Sequence, residues 1–228
     1  MTSLTISAVV FDMDGVLIDS ERLYCDSFLK AAEETGHAFQ PADALALVGH
    51  AWKKNRMKIL EKVGSEAEVD RLHAVWCRHF DDAKPRLQLK PGVKQLLHWA
   101  RSNHLCTAVC TSSKPSTVYY YFSLHALADL FDVIVAAGDY SNSKPAPDPF
   151  LRVADLLDIP PAQCLVLEDS YAGILSATAA GMPVVMVPDL LPPTEMTRDQ
   201  CLFIASDLNE VRARLLSLSP VTGFQDVR

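Results

Sequence analysis

A short apolar run, Ala8-Val9-Val10-Phe11, stops at Asp12-Met13-Asp14-Gly15. A run that is apolar at every position and partly β-branched is the pattern of a parallel strand covered on both faces. Such a strand needs helices on both sides of its sheet, which constrains the chain to an α/β fold. Two carboxylates two positions apart at the mouth of a buried strand are costly. Like charges repel at that distance, and burial disfavours both. A bound cation relieves the cost, and carboxylates beside carbonyl oxygens suit Mg2+. Gly15 then permits a sharp turn off the sheet.

The rest of the chain divides by rhythm. From Glu21 to about Phe80 the pattern is helical throughout. Tyr24, Phe28, Ala31 and Ala32 share one face, with Gly36 as a helix stop. Trp52, Ile59, Leu60 and Val63 mark a second helix, and Val69, Leu72, Trp76 and Phe80 a third. After Lys90-Pro91-Gly92 the pattern becomes alternating. Strands are expected at 105–110, 133–136, 164–167, 184–187 and 202–205, with helices at 93–102, 115–127, 149–157 and 171–180. Asp148-Pro149 reads as an N-cap followed by proline at N1. The expectation is a Rossmann-like parallel sheet core, residues 1–19 and 87–228, with an all-helical domain, residues 20–86, inserted after the first strand.

Composition narrows the function. A chain of 228 residues that is 49% hydrophobic can bury a full core and a second small domain. No apolar stretch reaches the roughly 18 residues that span a bilayer. The first residues lack the basic start of a secretory signal. Six cysteines lack CxxC spacing, and the seven histidines lack HxxH or HExxH spacing. A reduced cytoplasmic protein without a zinc site is expected, monomeric by default. A net charge of −7 argues against nucleic acid. The inserted block is neutral, with 11 Lys/Arg and 11 Asp/Glu, so the acidic excess lies in the sheet-forming part.

Ligands of open α/β sheets bind outside the carboxyl ends of the strands. Those ends carry Asp12 and Asp14, then Thr111-Ser112-Ser113, then Lys144 in Ser143-Lys144-Pro145-Ala146-Pro147-Asp148, then Glu168-Asp169. Each element alone has a bland explanation: a turn, a helix cap, a solvated lysine, or acids favoured by a helix dipole. None of these explains why all four fall on one rim.

Together they resemble the haloacid dehalogenase superfamily of phosphotransferases, over nearly the whole chain. The segment Asp12-Met13-Asp14-Gly15-Val16-Leu17-Ile18-Asp19-Ser20-Glu21 is similar to the branch with a helical cap after the first strand. That branch contains β-phosphoglucomutases, sugar-phosphate phosphatases and a pseudouridine-5′-phosphate phosphatase. The resemblance implies Asp12 as a nucleophile that forms an aspartyl-phosphate. It implies Asp14 as the general acid and base. Asp12, Asp169 and the carbonyl of Asp14 would hold Mg2+, with Glu168 either a further ligand or a partner standing behind the ligands. Thr111 and Lys144 would bind and neutralise the phosphoryl group, with backbone N–H groups of Met13 and Ser112 helping.

Asp14 argues against a dehalogenase, which lacks the second acid. The Asp-Gly pattern argues against a phosphonatase. Mutases carry a histidine in the first cap helix where this chain has Tyr24, so a phosphatase is favoured over a β-phosphoglucomutase-type mutase. Outside these enzymes stand a phospho-acceptor module, about half this length, and a catalytically silent binding protein. The expected substrate is a small phosphate monoester, a sugar phosphate or nucleoside monophosphate. Cap residues must distinguish its leaving group, and the candidates are Ser20, Tyr24, Gly49, His50 and Lys53. Hinges are expected near Asp19-Ser20 and Pro85-Pro91. The basic run Lys53, Lys54, Arg56 and Lys58 reads first as a solvated helix face, Tyr119-Tyr120-Tyr121 as helix packing, and Trp52 and Trp76 as cap core.

Overall fold

The computed structural model describes residues 5–49 and 52–218. Its centre is a six-stranded, all-parallel sheet in the order β3-β2-β1-β4-β5-β6. The strands are β1 Ala8–Phe11, β2 Cys106–Cys110, β3 Val133–Val135, β4 Cys164–Glu168, β5 Val184–Met186 and β6 Phe203–Ile204. In β1, Val9 and Phe11 enter one apolar cluster and Ala8 and Val10 the opposite one. This two-sided burial is why the run lacks polar alternation.

The first cluster is covered by α5 (Val93–Ser102), α6 (Pro115–His125) and α10 (Leu208–Leu218). The second is covered by α7 (Asp148–Leu157) and α8 (Tyr171–Ala179). A short α9 (Glu195–Gln200) precedes β6. The chain runs β1, β2, β3 toward one edge, then returns to start β4 on the other side of β1. The strand order therefore reverses between β1 and β4, which opens a crevice at their carboxyl ends.

Between β1 and α5 lie α1 (Ser20–Glu34), α2 (Pro41–Leu45), α3 (Trp52–Val63) and α4 (Glu66–Ala83). They share a third apolar cluster, with Phe28, Ile59, Leu72 and Trp76 buried and Trp52 packed against it. Phe28 and Trp76 meet edge to face at 4.9 Å. The chain enters and leaves this block side by side. Asp19 N–H donates to the Gln88 carbonyl at 3.1 Å, and Lys90 N–H to that of Leu17 at 2.9 Å.

Two sequence expectations need correction. Asp148 is not an N-cap: Pro147 holds that position, and the Asp148 carboxylate accepts from the Asn142 backbone and side chain at 3.1 and 2.9 Å. Pro149 is thus one residue deeper, where its missing N–H is still harmless. Helices α2, α9 and α10 were not anticipated. The first two are too short to show a period, at five and six residues. The basic run lies on the surface as expected: Lys53 and Lys54 are exposed, and Arg56 pairs there with Glu66 and Asp70 of α4.

Candidate active site

Asp12 follows β1 directly, and its N–H continues the ladder to the Leu167 carbonyl at 2.9 Å. That bond fixes where its side chain leaves the sheet. The carboxylate is buried and accepts from Lys144 Nζ at 2.6 Å. Lys144 also donates to Glu168 Oε1 at 2.6 Å and to the Cys110 carbonyl at 2.9 Å. Three strand ends are thereby tied through one ammonium group.

Burial works against the charged form of Lys144, but Asp12 and Glu168 outweigh it and hold the lysine well above its ordinary value. Burial lifts Asp12 above the usual carboxylate range; Lys144 pulls it down, while Glu168 and Asp14 push it up. One ammonium group is too little positive charge for this many acids.

Glu168 Oε2 accepts from Ser170 N–H at 3.1 Å and Ser170 Oγ at 2.9 Å. Ser170 caps α8 by accepting from Gly173 N–H at 3.0 Å. Gly173 has no room for a side chain, because an added Cβ would fall 1.8 Å from Glu168 Oε1. Gly15 has the same relation to Asp169, whose Oδ2 would lie 2.2 Å from such a Cβ. Gly15 also has φ +82°, so its turn and its closeness to Asp169 both require glycine.

Carboxylate oxygens of Asp12, Glu168 and Asp169 lie within 4.8 Å of one another, all in buried residues. Among the described residues, no donor meets the buried Asp169 Oδ2, and the side-chain partner of the Asp169 carboxyl is another acid, Glu21. Burial, then Glu21 and Glu168, push Asp169 well above the ordinary range. A compact set of oxygen donors with an orphaned buried oxygen fits a hard divalent cation. A second acidic group, Glu21, Asp169 and Asp189, adjoins it within the same span. Burial, then Asp189, raise Glu21 to about 8.

Asp14 is held differently. Ser20 Oγ donates to its Oδ1 at 2.6 Å and Ser113 Oγ to its Oδ2 at 2.8 Å. Met13 is buried, and its carbonyl accepts from Leu17 and Ile18 N–H in the turn that carries Asp14. Thr111 is buried at the end of β2, where its hydroxyl accepts from Ser113 N–H at 3.0 Å. Ser112, between them, is exposed.

The structure thus brings Asp12, Asp14, Thr111, Lys144, Glu168 and Asp169 to one crevice. Ser20, expected to read the substrate, instead bonds Asp14. Tyr24 is half-buried against Trp76, with ring centres 4.3 Å apart. Burial raises its hydroxyl to about 12, against a lowering hydrogen bond with Asn55. Gly49 is exposed with φ +70°, Lys53 is exposed, and His50 lies outside the described residues. Sequence reasoning missed Ser113, Ser170, Gly173, Glu21 and Asp189. Ser113 could have been found, since it belongs to the same hydroxyl triplet as Thr111. Ser170 and Gly173 follow Glu168 on the same turn, but only the geometry shows their bonds and close approach to it, while Glu21 and Asp189 become visible only when distant loops meet.

The family model for haloacid dehalogenase-like hydrolases matches residues 9–187. Protein CbbY of Rhodobacter capsulatus is 34% identical over 197 residues, covering 81% of this chain and 86% of that protein. A Drosophila melanogaster protein named "Probable pseudouridine-5'-phosphatase" is 32% identical over 203 residues, covering 86% and 88%. The crystal structure of β-phosphoglucomutase from Clostridium difficile superposes with a TM-score of 0.73 at 25% identity, covering 93% of this chain and 96% of that one. The chain belongs to the haloacid dehalogenase-like hydrolase family, as a phosphoric monoester hydrolase.

Proposed function

We propose that the chain is a Mg2+-dependent phosphatase that hydrolyses a small phosphate monoester, a sugar phosphate or nucleoside monophosphate, through an aspartyl-phosphate on Asp12. The observation that carries this reading is the buried Asp12 carboxylate, clamped by Lys144 and set beside Glu168 and Asp169. Asp12, Glu168 and Asp169, with the carbonyl of Asp14, would hold the ion. Bound there, Mg2+ supplies positive charge that keeps Asp12 ionised and offsets the anionic phosphate.

An oxygen of Asp12 attacks phosphorus as the bond to the leaving oxygen breaks. Asp14 gives its proton to that oxygen. Water then attacks the aspartyl-phosphate, Asp14 takes a proton from it, and Asp12 is restored as inorganic phosphate leaves. Ser20 and Ser113 aim both oxygens of Asp14, so it delivers its proton from one place. Thr111 and the N–H groups of Met13 and Ser112 bind phosphoryl oxygens, and Lys144 balances their charge. The block 20–86 covers the leaving group as a cap and selects it.

Hydrolysis of p-nitrophenyl phosphate with Mg2+ tests the reading. Asp12→Asn should lower turnover by roughly 10⁴-fold or more with unchanged circular dichroism. EDTA should abolish wild-type turnover and added Mg2+ restore it. Turnover retained by Asp12→Asn would remove the nucleophile from the scheme. Conversion of β-glucose 1-phosphate to the 6-phosphate without net phosphate release would favour the mutase instead.

A further inference from the structure

Among the described residues, the apolar cluster of the inserted block is built from residues 24–76, with two exceptions. Leu190 and Leu191 also pack against it, and they come from the loop after β5, more than a hundred positions further on. The residue before them, Asp189, accepts from Lys90 Nζ at 2.6 Å. Lys90 sits on the returning hinge segment and also donates to Asp19, on the outgoing one, at 3.3 Å. The Asp189 carboxylate further lies in the acidic group with Glu21, in the first turn of α1, and Asp169. Three consecutive loop residues thus touch the cap interior, the returning hinge segment and, through Lys90, the outgoing one, and the edge of the metal-site acids.

The loop is built to hold still. Pro188 precedes this triplet and Pro192-Pro193 follows it, so three φ angles are locked. Tyr171 Oη, at the start of α8, donates to the Pro192 carbonyl at 2.6 Å. Thr194 caps α9 by accepting from Thr197 N–H at 3.3 Å. The loop is anchored to the core on both sides of the leucines, which leaves the cap as the partner able to move.

We propose that Asp189-Leu190-Leu191 is a clasp on the catalytic core that positions the cap over the active site. Leu190 and Leu191 complete the cap's apolar cluster only when the cap is down, and Asp189 holds the hinge through Lys90 in that same position. These are positioning residues: they act through the cap and the hinge. The inference rests on the proposed phosphatase reaction for its kinetic readout alone.

The test compares wild type with Leu190→Ser/Leu191→Ser and with Leu190→Met/Leu191→Met, whose apolar volume is conserved. Hydrogen exchange is read at the hinge segments 17–20 and 88–90 and along α1, with β1 and β4 as controls for an intact fold. The serine pair should speed exchange at hinge and α1 by about tenfold and leave both strands protected. The methionine pair should match wild type. On p-nitrophenyl phosphate with Mg2+, the serine pair should lower kcat/KM by about tenfold, and the methionine pair should restore it. Exchange at hinge and α1 equal to wild type in the serine pair would overturn the clasp, as would faster exchange with unchanged kinetics. If the serine pair fails to fold, Leu190→Ala and Leu191→Ala carry the same comparison. If the wild type has no turnover on any phosphate ester, the phosphatase reading fails while the exchange result still decides the clasp.

Discussion

The rim of the sheet and the helical cap handle charge in opposite ways. At the rim, Asp12, Lys144 and Glu168 form a buried ion triad with both contacts at 2.6 Å. In the cap, ion pairs such as Arg56 with Glu66 and Asp70, and Arg78 with Glu34, lie on the surface over an aromatic cluster. A buried triad is poor value as stabilisation, because desolvation consumes most of its Coulombic gain. Its presence at the crevice is understandable as chemistry held in place. The cap's pairs are the ordinary dressing of a folded helical block, each contributing little. Under the proposed reaction the rim serves chemistry and the helical block serves shape, and the two should respond differently to substitution.

Apart from loss of Asp12 itself, the largest departure should come from Gly173→Ala. Helix propensity favours alanine by about 1 kcal/mol, yet the new Cβ would strike Glu168 Oε1 at 1.8 Å. Glu168 must move, and Lys144 loses a partner. We expect about 2–4 kcal/mol lower stability in urea unfolding and roughly 100-fold lower turnover of p-nitrophenyl phosphate. A variant as active and stable as wild type would show that the rim tolerates looseness.

Ser113→Ala should have a smaller effect confined to rate. It removes one of two hydroxyls on Asp14, and about tenfold lower kcat with KM little changed is expected. On the cap, exposed Lys53→Ala should change p-nitrophenyl phosphate turnover by less than about twofold and leave thermal unfolding unaltered. A strong effect on KM for a larger phosphate ester, with the small ester unaffected, would place Lys53 against the leaving group.

The smallest effect concerns Glu34, whose carboxyl is lowered by hydrogen bonds from Arg78 and then His79. A carboxylate lowered in the folded state stabilises the fold when ionised. That contribution is full above the unfolded value, near 4.5, and fades as pH falls through the folded one. Glu34→Gln should lower the melting temperature slightly at neutral pH, and the difference from wild type should shrink on acidification below about pH 4. A difference that grows on acidification would contradict the assignment.

Much of the rim was legible in the sequence because its residues sit at strand ends. Asp12 and Glu168-Asp169 follow apolar runs that can only be buried strands, and the ladder bond of Asp12 shows why the run's end aims the side chain. Periodicity likewise revealed α1, α3 and α4, because each buries one face against a shared cluster. It missed α2 and α9, which are too short to repeat. Ser20 shows a different limit. Its place in the Asp-Gly segment was plain, but its hydroxyl could point at substrate or at Asp14, and only packing chose Asp14.

What the amino-acid order determined by itself was local: which segments are buried strands, where the acids leave them, and that a neutral helical block interrupts an acidic α/β core. Tertiary structure alone decided which distant groups share a few ångströms. It set Lys144 between Asp12 and Glu168, brought Asp189 beside Glu21 and Asp169, and carried Leu190 and Leu191 into the cap. The reason is physical. Burial and turn geometry depend on near neighbours and leave a pattern in the chain, whereas a contact between loops far apart in sequence is fixed by the register of the whole sheet and leaves none.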